Sequence, residues 1–122
     1  MAIRNVLIVE DELILAMVNR KMVEALGYKS VAVVTNAKDA LRTIEETRPD
    51  LILMDIMIEG DLDGIETAEI IRKSLNTPIL FITGNSDEAV KSRAEHIANS
   101  AFLIKPVNQN MLKSFIEKIE FS

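Results

Sequence analysis

Short runs of apolar residues alternate along the chain with longer segments in which apolar residues recur at helical spacing. Each run contains four consecutive apolar residues with no polar residue between them, which is typical of strands covered on both faces of a parallel sheet. The runs therefore predict five strands, at residues 6–9, 31–34, 51–54, 79–82 and 101–104.

The segments between these runs predict five helices. Gly27 is placed to end the first helix, Asn36 and Ser86 are candidate N-cap residues of the second and fourth, and Pro49 and Pro78 close the second and third. The apolar positions of the helices are, in order, Ile14, Val18, Met22 and Leu26; Ala37, Ala40, Leu41 and Ile44; Ile65, Ala68, Ile71 and Leu75; Val90, Ala94 and Ile97; and Met111, Leu112, Phe115, Ile116 and Ile119.

The order of elements is a strand followed by a helix, five times over, with no repeat, linker or low-complexity stretch. Right-handed crossovers leave few arrangements for five such units, and an eightfold barrel needs about twice the length. We therefore predict one α/β domain over residues 1–122. Its sheet has five parallel strands, doubly wound in the flavodoxin-like order 2-1-3-4-5.

Composition and charge narrow the classes of function. The absence of cysteine excludes disulfides, thiolate metal sites and cysteine nucleophiles. The net charge of −5 argues against direct binding of nucleic acid or anionic membranes, because either surface would repel the chain. Acidic residues follow the first apolar run at once, and no run approaches the roughly 18 apolar residues of a membrane span. We expect a cytoplasmic protein.

Charged and polar residues follow the predicted strands at the edge where open α/β sheets bind ligands. Glu10 and Asp11 follow strand 1, Asp55 follows the neighbouring strand 3, Thr83 ends strand 4 and Lys105 follows strand 5. Two carboxylates 4 Å apart repel by roughly 4 kcal/mol at an effective dielectric constant of 20. A cluster of carboxylates therefore needs a bound cation, or a raised pKa that leaves one of them neutral. Oxygen ligands without nearby His or Cys favour Mg²⁺.

With magnesium present, this set of residues is suited to phosphoryl transfer. A carboxylate at the rim can act as a nucleophile toward phosphorus and form an acyl phosphate. Lys105 can pair with one phosphoryl oxygen, and Thr83 can donate a hydrogen bond to another.

Five motifs together resemble the receiver domain of two-component response regulators, and the resemblance covers the whole chain. They are IVEDE at strand 1, LILMDIM at strand 3, DGIETA at the start of helix 3, FITG at strand 4 and FLIKP at strand 5. The resemblance implies that Asp55 accepts a phosphoryl group from the phosphohistidine of a sensor histidine kinase or a phosphotransfer protein. It also implies that Glu10, Asp11, Asp55 and the backbone carbonyl of Met57 hold Mg²⁺.

The resemblance also implies a conformational switch. Thr83 would move toward the phosphoryl group, Lys105 would contact it, and Phe102 would turn inward. The surface of helix 4, strand 5 and helix 5 would then change for an unknown downstream protein, with a phosphorylation-dependent homodimer as an open alternative. Gly84 would leave room for the donor, and the Lys105-Pro106 bond is expected to be cis.

Four departures from the family pattern affect these expectations. Two concern single side chains: Glu10 is one methylene longer than the common Asp, so that a water can separate it from the metal, and Phe102 lacks the hydroxyl of the commoner Tyr. The third concerns Met57 and Asn85, which occupy two positions that tune hydrolysis in the family. The apolar Met57 is predicted to exclude the attacking water and to lengthen the lifetime of the acyl phosphate.

The fourth departure is the loop after strand 3. Nine positions separate Asp55 from Gly64, one more than is usual in the family, and Glu59-Gly60 replaces a proline. This longer acidic loop is expected to affect the kinase-facing surface or the metal affinity. Its acids lack the full spacing of a calcium loop, and we interpret them as a cap and solvated residues; they are Glu59, Asp61 and Asp63.

Simpler explanations exist for the same residues taken singly. Asp11 is equally explained as the cap of helix 1, and Phe102 can be an ordinary core residue. Lys105 can be a solvated loop residue, and Thr83 can be a β-branched residue that merely ends a strand. Asp55 has no such alternative, because the next helix begins several residues later. The lone His96 of the fourth helix is interpreted as a surface residue.

Three other functions compete with a phosphorylated receiver. A small-molecule phosphotransferase acting through Asp55 would need a general acid two residues on, where Met57 cannot serve. A flavodoxin-like cofactor site needs a phosphate-binding loop rich in Ser, Thr or Gly, whereas Glu10, Asp11 and Glu12 repel phosphate. A degenerate receiver that signals without phosphate is disfavoured by the intact site. We therefore expect a switch that promotes only its own phosphorylation and dephosphorylation, not an enzyme.

Overall fold

The computed structural model describes residues 2–84 and 87–121. Strands and helices alternate along the chain, as the sequence predicts. The elements are β1 (Asn5–Val9), α1 (Leu13–Ala25), β2 (Lys29–Val34), α2 (Ala37–Thr47), β3 (Leu51–Met54), α3 (Gly64–Arg72), β4 (Ile79–Thr83), α4 (Glu88–Glu95), β5 (Ser100–Ile104) and α5 (Gln109–Glu120). No helix within the described ranges is both long enough and apolar enough to cross a membrane.

The five strands form one parallel sheet in the order β2-β1-β3-β4-β5. The predicted fold class and strand order are therefore confirmed. The order reverses between β1 and β3, and the carboxyl ends of these two strands flank the switch point, where such sheets bind ligands. Val9 pairs with Met54 at the ends of β1 and β3, so that the residues that follow them leave the sheet side by side.

Hydrophobic side chains cover both faces of the sheet, which explains why the strands are continuous apolar runs. Alternate residues of each strand point to opposite faces. One face packs against α2, α3 and α4, and the other packs against α1 and α5. The central strands β3 and β4 are buried along their whole length, whereas the edge strands β2 and β5 are only partly buried.

Side-chain caps fix the starts of four helices. Asn36 caps α2, as predicted, by accepting a hydrogen bond from the Asp39 amide at 2.9 Å. Asp63 forms a capping box with Glu66 at the start of α3, and Asn108 caps α5. The cap of α4 is Asp87; the predicted cap, Ser86, lies outside the described residues.

The inward face of α1 differs from the predicted stripe. Ala16, Asn19 and Val23 are buried, whereas Ile14 and Val18 are 77% and 45% exposed. A strict four-residue spacing drifts by about 40° per step around an α-helix, so that the stripe cannot stay on one face. Its later members, Met22 and Leu26, do pack against the core.

Candidate functional site

Three carboxylates meet where β1 and β3 end. The backbone amide of Glu10 donates to the Val34 carbonyl and that of Asp55 to the Val9 carbonyl, both at 2.9 Å, so that each residue extends the sheet by one step. Glu10, Asp11 and Asp55 then place carboxylate oxygens within 4.8 Å of one another. Glu10 and Asp55 are buried, with 2% and 6% exposure, whereas Asp11 opens to solvent.

Lys105 lies between the two buried carboxylates. Its Nζ donates to Oε1 of Glu10 at 2.9 Å and to Oδ2 of Asp55 at 3.0 Å. The sheet places it there, because the Lys105 amide donates to the carbonyl of Thr83, at the end of the adjacent strand β4. The Lys105-Pro106 peptide bond is cis, as expected. One ammonium faces three carboxylates, and the cluster therefore keeps an excess of negative charge.

Burial and the charge imbalance alter the proton affinity of the cluster. Burial, followed by the hydrogen bond to Asp55, raises the pKa of Glu10 to about 7, although Lys105 opposes the rise. Burial alone would lower the pKa of Lys105, but its hydrogen bonds to Glu10 and Asp55 outweigh burial and raise that pKa. Without a further cation, the carboxyl group of Glu10 therefore binds a proton more readily near neutral pH than an ordinary glutamate does.

The three carboxylates have the chemistry of a magnesium site. Mg²⁺ prefers one or two carboxylates, water and phosphate oxygens, and the exposed Asp11 provides an entry for a hydrated ion. The alternative role of Asp11 as a helix cap is wrong, because α1 is preceded by Glu12 and its start has no side-chain cap. The Glu12 amide instead donates to Glu10 at 3.2 Å.

Magnesium affinity is expected to rise by about tenfold between pH 6 and pH 8. A metal that binds Glu10 would have to displace its proton, and the pKa of about 7 means that this proton competes below neutral pH and is largely absent above it. Calorimetric titration of the full chain with MgCl₂ at the two pH values measures the effect. Glu10→Gln is expected to flatten the pH dependence; an equally steep dependence in this variant would assign the titration to another group.

The residues of the predicted switch lie on the adjacent strands β4 and β5. Thr83 is fully buried at the end of β4. Phe102 of β5 is half-buried, pairs in register with Phe81 and packs against the core cluster. Gly84 is exposed, and an added Cβ there would meet nothing within 4 Å. Asn85, the second predicted modulator of hydrolysis, lies outside the described residues.

The loop after β3 crosses toward the end of β2. Its inner part is anchored by Ile56 and Ile58, which are buried in the core, while Met57 between them is 62% exposed. The Met57 amide donates to Oδ1 of Asp55 at 3.1 Å. Glu59 forms a bridge with Asn36, so that its carboxylate lies beside β2 rather than in the acidic cluster.

The acids of this loop and His96 have local roles. Asp63 is the cap of α3, as interpreted, and Asp61 is solvated. Glu59 is exposed but also accepts a hydrogen bond from the Thr35 hydroxyl at 2.5 Å, which the sequence did not indicate. His96 is exposed at the end of α4, with Nδ1 2.7 Å from the Ser92 carbonyl.

Gly64 is a site residue whose role the sequence analysis missed. Its amide donates to the Ile56 carbonyl at 2.7 Å. A Cβ at this position would lie 2.2 Å from the Asp55 carbonyl oxygen and 2.9 Å from the Ile56 Cα. The start of α3 therefore packs directly on the backbone of Asp55, and the glycine in DGIETA, directly after the cap, is the only signal of this contact in the sequence.

Known proteins share this sequence pattern. The sequence model of the response regulator receiver domain family matches residues 6–117. The transcriptional regulatory protein PdtaR of Mycobacterium tuberculosis H37Rv is 32% identical over 114 residues, which are 93% of this chain and 55% of that protein. YvrH of Bacillus subtilis, also a transcriptional regulatory protein, is 29% identical over 104 residues, 85% of this chain and 44% of that protein. The chain spans about half the length of these relatives.

Solved receiver domains share the structure. The receiver domain of a modulated diguanylate cyclase from Desulfovibrio desulfuricans is 38% identical, with a TM-score of 0.86 over 98% of each chain. The receiver domain of a sensor histidine kinase from Pseudomonas aeruginosa is 27% identical, with a TM-score of 0.87 over 99% of this chain and 100% of that one, and it holds a magnesium ion in its active site cleft. With the family match over residues 6–117, these similarities show that the chain belongs to the receiver domain family of two-component response regulators.

Proposed function

We propose that the chain is a phosphorylation switch in which Asp55 accepts a phosphoryl group from a phosphohistidine on a sensor histidine kinase or a phosphotransfer protein. The observation that carries the proposal is the position of the Lys105 ammonium, 3.0 Å from Asp55 and 2.9 Å from Glu10, in a cluster that opens to solvent at Asp11. Glu10, Asp11, Asp55 and the Met57 carbonyl would hold Mg²⁺.

The proposed reaction is a displacement at phosphorus. An Oδ atom of Asp55 forms a bond to phosphorus as the P–N bond to the imidazole breaks, and the electron pair stays on the ring nitrogen. Bound Mg²⁺ would neutralise charge on the phosphoryl oxygens. Lys105 already contacts Asp55 and can pair with one of these oxygens. The Thr83 hydroxyl, at the end of the adjacent strand, can donate a hydrogen bond to another.

The proposed donor would meet an exposed apolar face of α1. Leu13, Ile14, Met17 and Val18 are all exposed, and they begin two residues after Asp11. Exposed apolar patches beside polar groups mark protein interaction sites. This face supports a protein rather than a small molecule as the donor.

The proposed output surface comprises α4, β5 and α5. Of the residues of α4, all of which are described, Ala94 alone is buried. An ion pair of 3.0 Å joins Arg93 of α4 to Asp63 at the start of α3. A helix with so little buried surface can shift when Thr83 and Phe102 move, which supports this surface as the contact for a downstream protein or for a phosphorylation-dependent homodimer.

The proposal also concerns the chain as a whole. Residues 1–122 would form one receiver domain, with no output domain among them, in the cytoplasm. They would not contact nucleic acid or membrane directly, and they would catalyse nothing beyond their own phosphorylation and dephosphorylation. The matched relatives are named transcriptional regulatory proteins. Nucleic-acid binding through other parts of such proteins is compatible with this proposal.

Intact-mass measurement after incubation with acetyl phosphate and Mg²⁺ tests the proposal. We expect one phosphoryl adduct that requires Mg²⁺ and is removed by hydroxylamine. Asp55→Asn is expected to abolish the adduct, whereas Asp61→Asn, which removes an exposed acid of the same loop, is expected to keep it. An adduct that persists in Asp55→Asn would contradict the proposal.

Met57→Asn is expected to speed loss of the phosphoryl group by about threefold to tenfold, because a polar side chain beside Asp55 can position the attacking water. The apolar side chain of Met57, which is 62% exposed, would exclude that water. The decay of the adduct, followed by mass after removal of acetyl phosphate, measures the effect. Met111→Asn, on α5, is expected to leave the decay unchanged; an unchanged decay in Met57→Asn would refute the role of Met57.

A further inference from the structure

A hydrogen-bond network connects the loop after Asp55 to the start of α2. The Thr35 hydroxyl donates to Oε1 of Glu59 at 2.5 Å. The Asn36 side chain donates to Thr35 Oγ1 at 3.2 Å and to Asp39 at 3.0 Å, while its oxygen caps α2. The same Asn36 pairs with Glu59 in a parallel β-bridge. Glu59 is therefore attached to the ordered start of a helix.

The part of the loop that directly follows Glu59 is an exposed turn. Directly after Glu59, Gly60 turns the backbone with φ of +101°, and Asp61 is exposed. A cleft of about 490 Å³ lies between this turn and the first residues of α2, lined in part by Lys38, Leu41 and Leu62. Leu62 at the far side of the turn packs against the core, and the contacts of Glu59 with Thr35 and Asn36 join the near side of the turn to the start of α2.

Met57 lies two residues before this attachment. Its amide contacts Asp55, and the side chains on either side of it, Ile56 and Ile58, are buried. The segment from Asp55 to Glu59 is therefore fixed at its inner end by the sheet and at its outer end by Thr35. A main-chain ligand is as well ordered as the segment that carries it, because fewer alternative conformations must then be lost on binding.

We propose that Glu59 is a positioning residue for the magnesium site and acts through its hydrogen bond from Thr35. The inference rests on the proposed function, since it assumes that Met57 offers its carbonyl to the ion. Glu59 itself lies outside the cluster of Glu10, Asp11 and Asp55 and would not be a ligand of the ion. Its contribution is the order that it gives to the Met57 main chain.

A through-space effect of the Glu59 charge is the alternative explanation, and substitutions can separate the two. Thr35→Val keeps the shape of the side chain and the charge of Glu59 but removes the hydroxyl, and with it the hydrogen bond to Glu59 and the one accepted from Asn36. Glu59→Gln removes the charge but keeps an oxygen that can accept from Thr35. Asp61→Asn removes one neighbouring negative charge with no change in the network, and so measures the charge effect alone.

Calorimetric titration of the full chain with MgCl₂ tests the proposal. Thr35→Val is expected to weaken the binding of Mg²⁺ by about threefold to tenfold. This is the size of effect expected when a hydrogen bond to a charged group at a partly exposed site is lost. Thr35→Ser is expected to restore the wild-type affinity, and Glu59→Gln to match Asp61→Asn. Glu59→Ala is expected to weaken binding as Thr35→Val does, and serves if Thr35→Val fails to fold.

Three results would overturn the inference. They are wild-type affinity in both Thr35→Val and Glu59→Ala, a Thr35→Ser variant as weak as Thr35→Val, and a loss in Glu59→Gln equal to that in Glu59→Ala. A wild-type chain that binds no magnesium would instead contradict the proposed function. The two failures are therefore distinguishable.

Discussion

Replacement of Lys105 by methionine is expected to slow phosphorylation by acetyl phosphate by about 100-fold or more, the usual cost of removing one group that stabilises transition-state charge. The ammonium lies 3.0 Å from Asp55 and 2.9 Å from Glu10. Without it, two buried carboxylates face an incoming phosphoryl group that is also negative. The carboxylate of Asp55, the proposed nucleophile, is then left beside that of Glu10 without the cation that offsets their repulsion.

The direction of the pKa change supports this expectation. The hydrogen bond from Lys105 now lowers the pKa of Glu10, against the larger effect of burial. Loss of Lys105 therefore raises the pKa of Glu10 further and favours its neutral form. The initial rate of adduct formation, followed by intact mass, measures the effect. Lys113→Met is a matched control, because Lys113 is exposed on α5 with Nζ 3.9 Å from Glu117; a wild-type rate in Lys105→Met would contradict the role given to Lys105.

Gly64→Ala is expected to lower the free energy of unfolding by about 2–3 kcal/mol, the usual cost of overpacking a tight contact. The added Cβ would lie 2.2 Å from the carbonyl oxygen of Asp55, so that either the loop or the start of α3 must move. Alanine forms helices better than glycine does, so that helix propensity alone would stabilise the variant. A loss of stability would therefore be due to the clash. Urea denaturation without Mg²⁺ measures it.

The same substitution is expected to impair phosphorylation, because the atoms that must move belong to Asp55, the proposed acceptor. Gly84→Ala is the matched control for stability, since its Cβ meets nothing within 4 Å; its free energy of unfolding is expected to stay within about 0.5 kcal/mol of the wild-type value. A Gly64→Ala variant as stable as the wild type would show that α3 does not press on the Asp55 backbone.

The fold could be predicted from the sequence because its signals are local and repeated. A run such as Leu51–Met54 is uniformly apolar since both faces of a central strand are covered. The right-handed crossover between parallel strands then limits the possible strand orders. The residue that follows each run lies at the same edge of the sheet, which is why Glu10, Asp55 and Lys105 could be placed near one another before any distance was known.

Contacts between segments distant in sequence could not be predicted in this way. The hydrogen bond from Thr35 to Glu59 depends on how a loop of irregular backbone crosses the sheet edge. The close approach of Gly64 to Asp55 depends on the entry of α3 into the core. The exposure of Ile14 on α1 depends on which side of the helix meets the sheet, and four-residue spacing alone does not specify that side.

The most direct test of the account is to locate the phosphoryl group chemically. Borohydride reduces an acyl phosphate of aspartate to homoserine, which peptide mass spectrometry can assign to a position. After treatment with acetyl phosphate and Mg²⁺, the account predicts homoserine at position 55 and an unmodified aspartate at position 11. Homoserine at another position, or a phosphoryl group that resists borohydride and hydroxylamine, would contradict Asp55 as the acceptor.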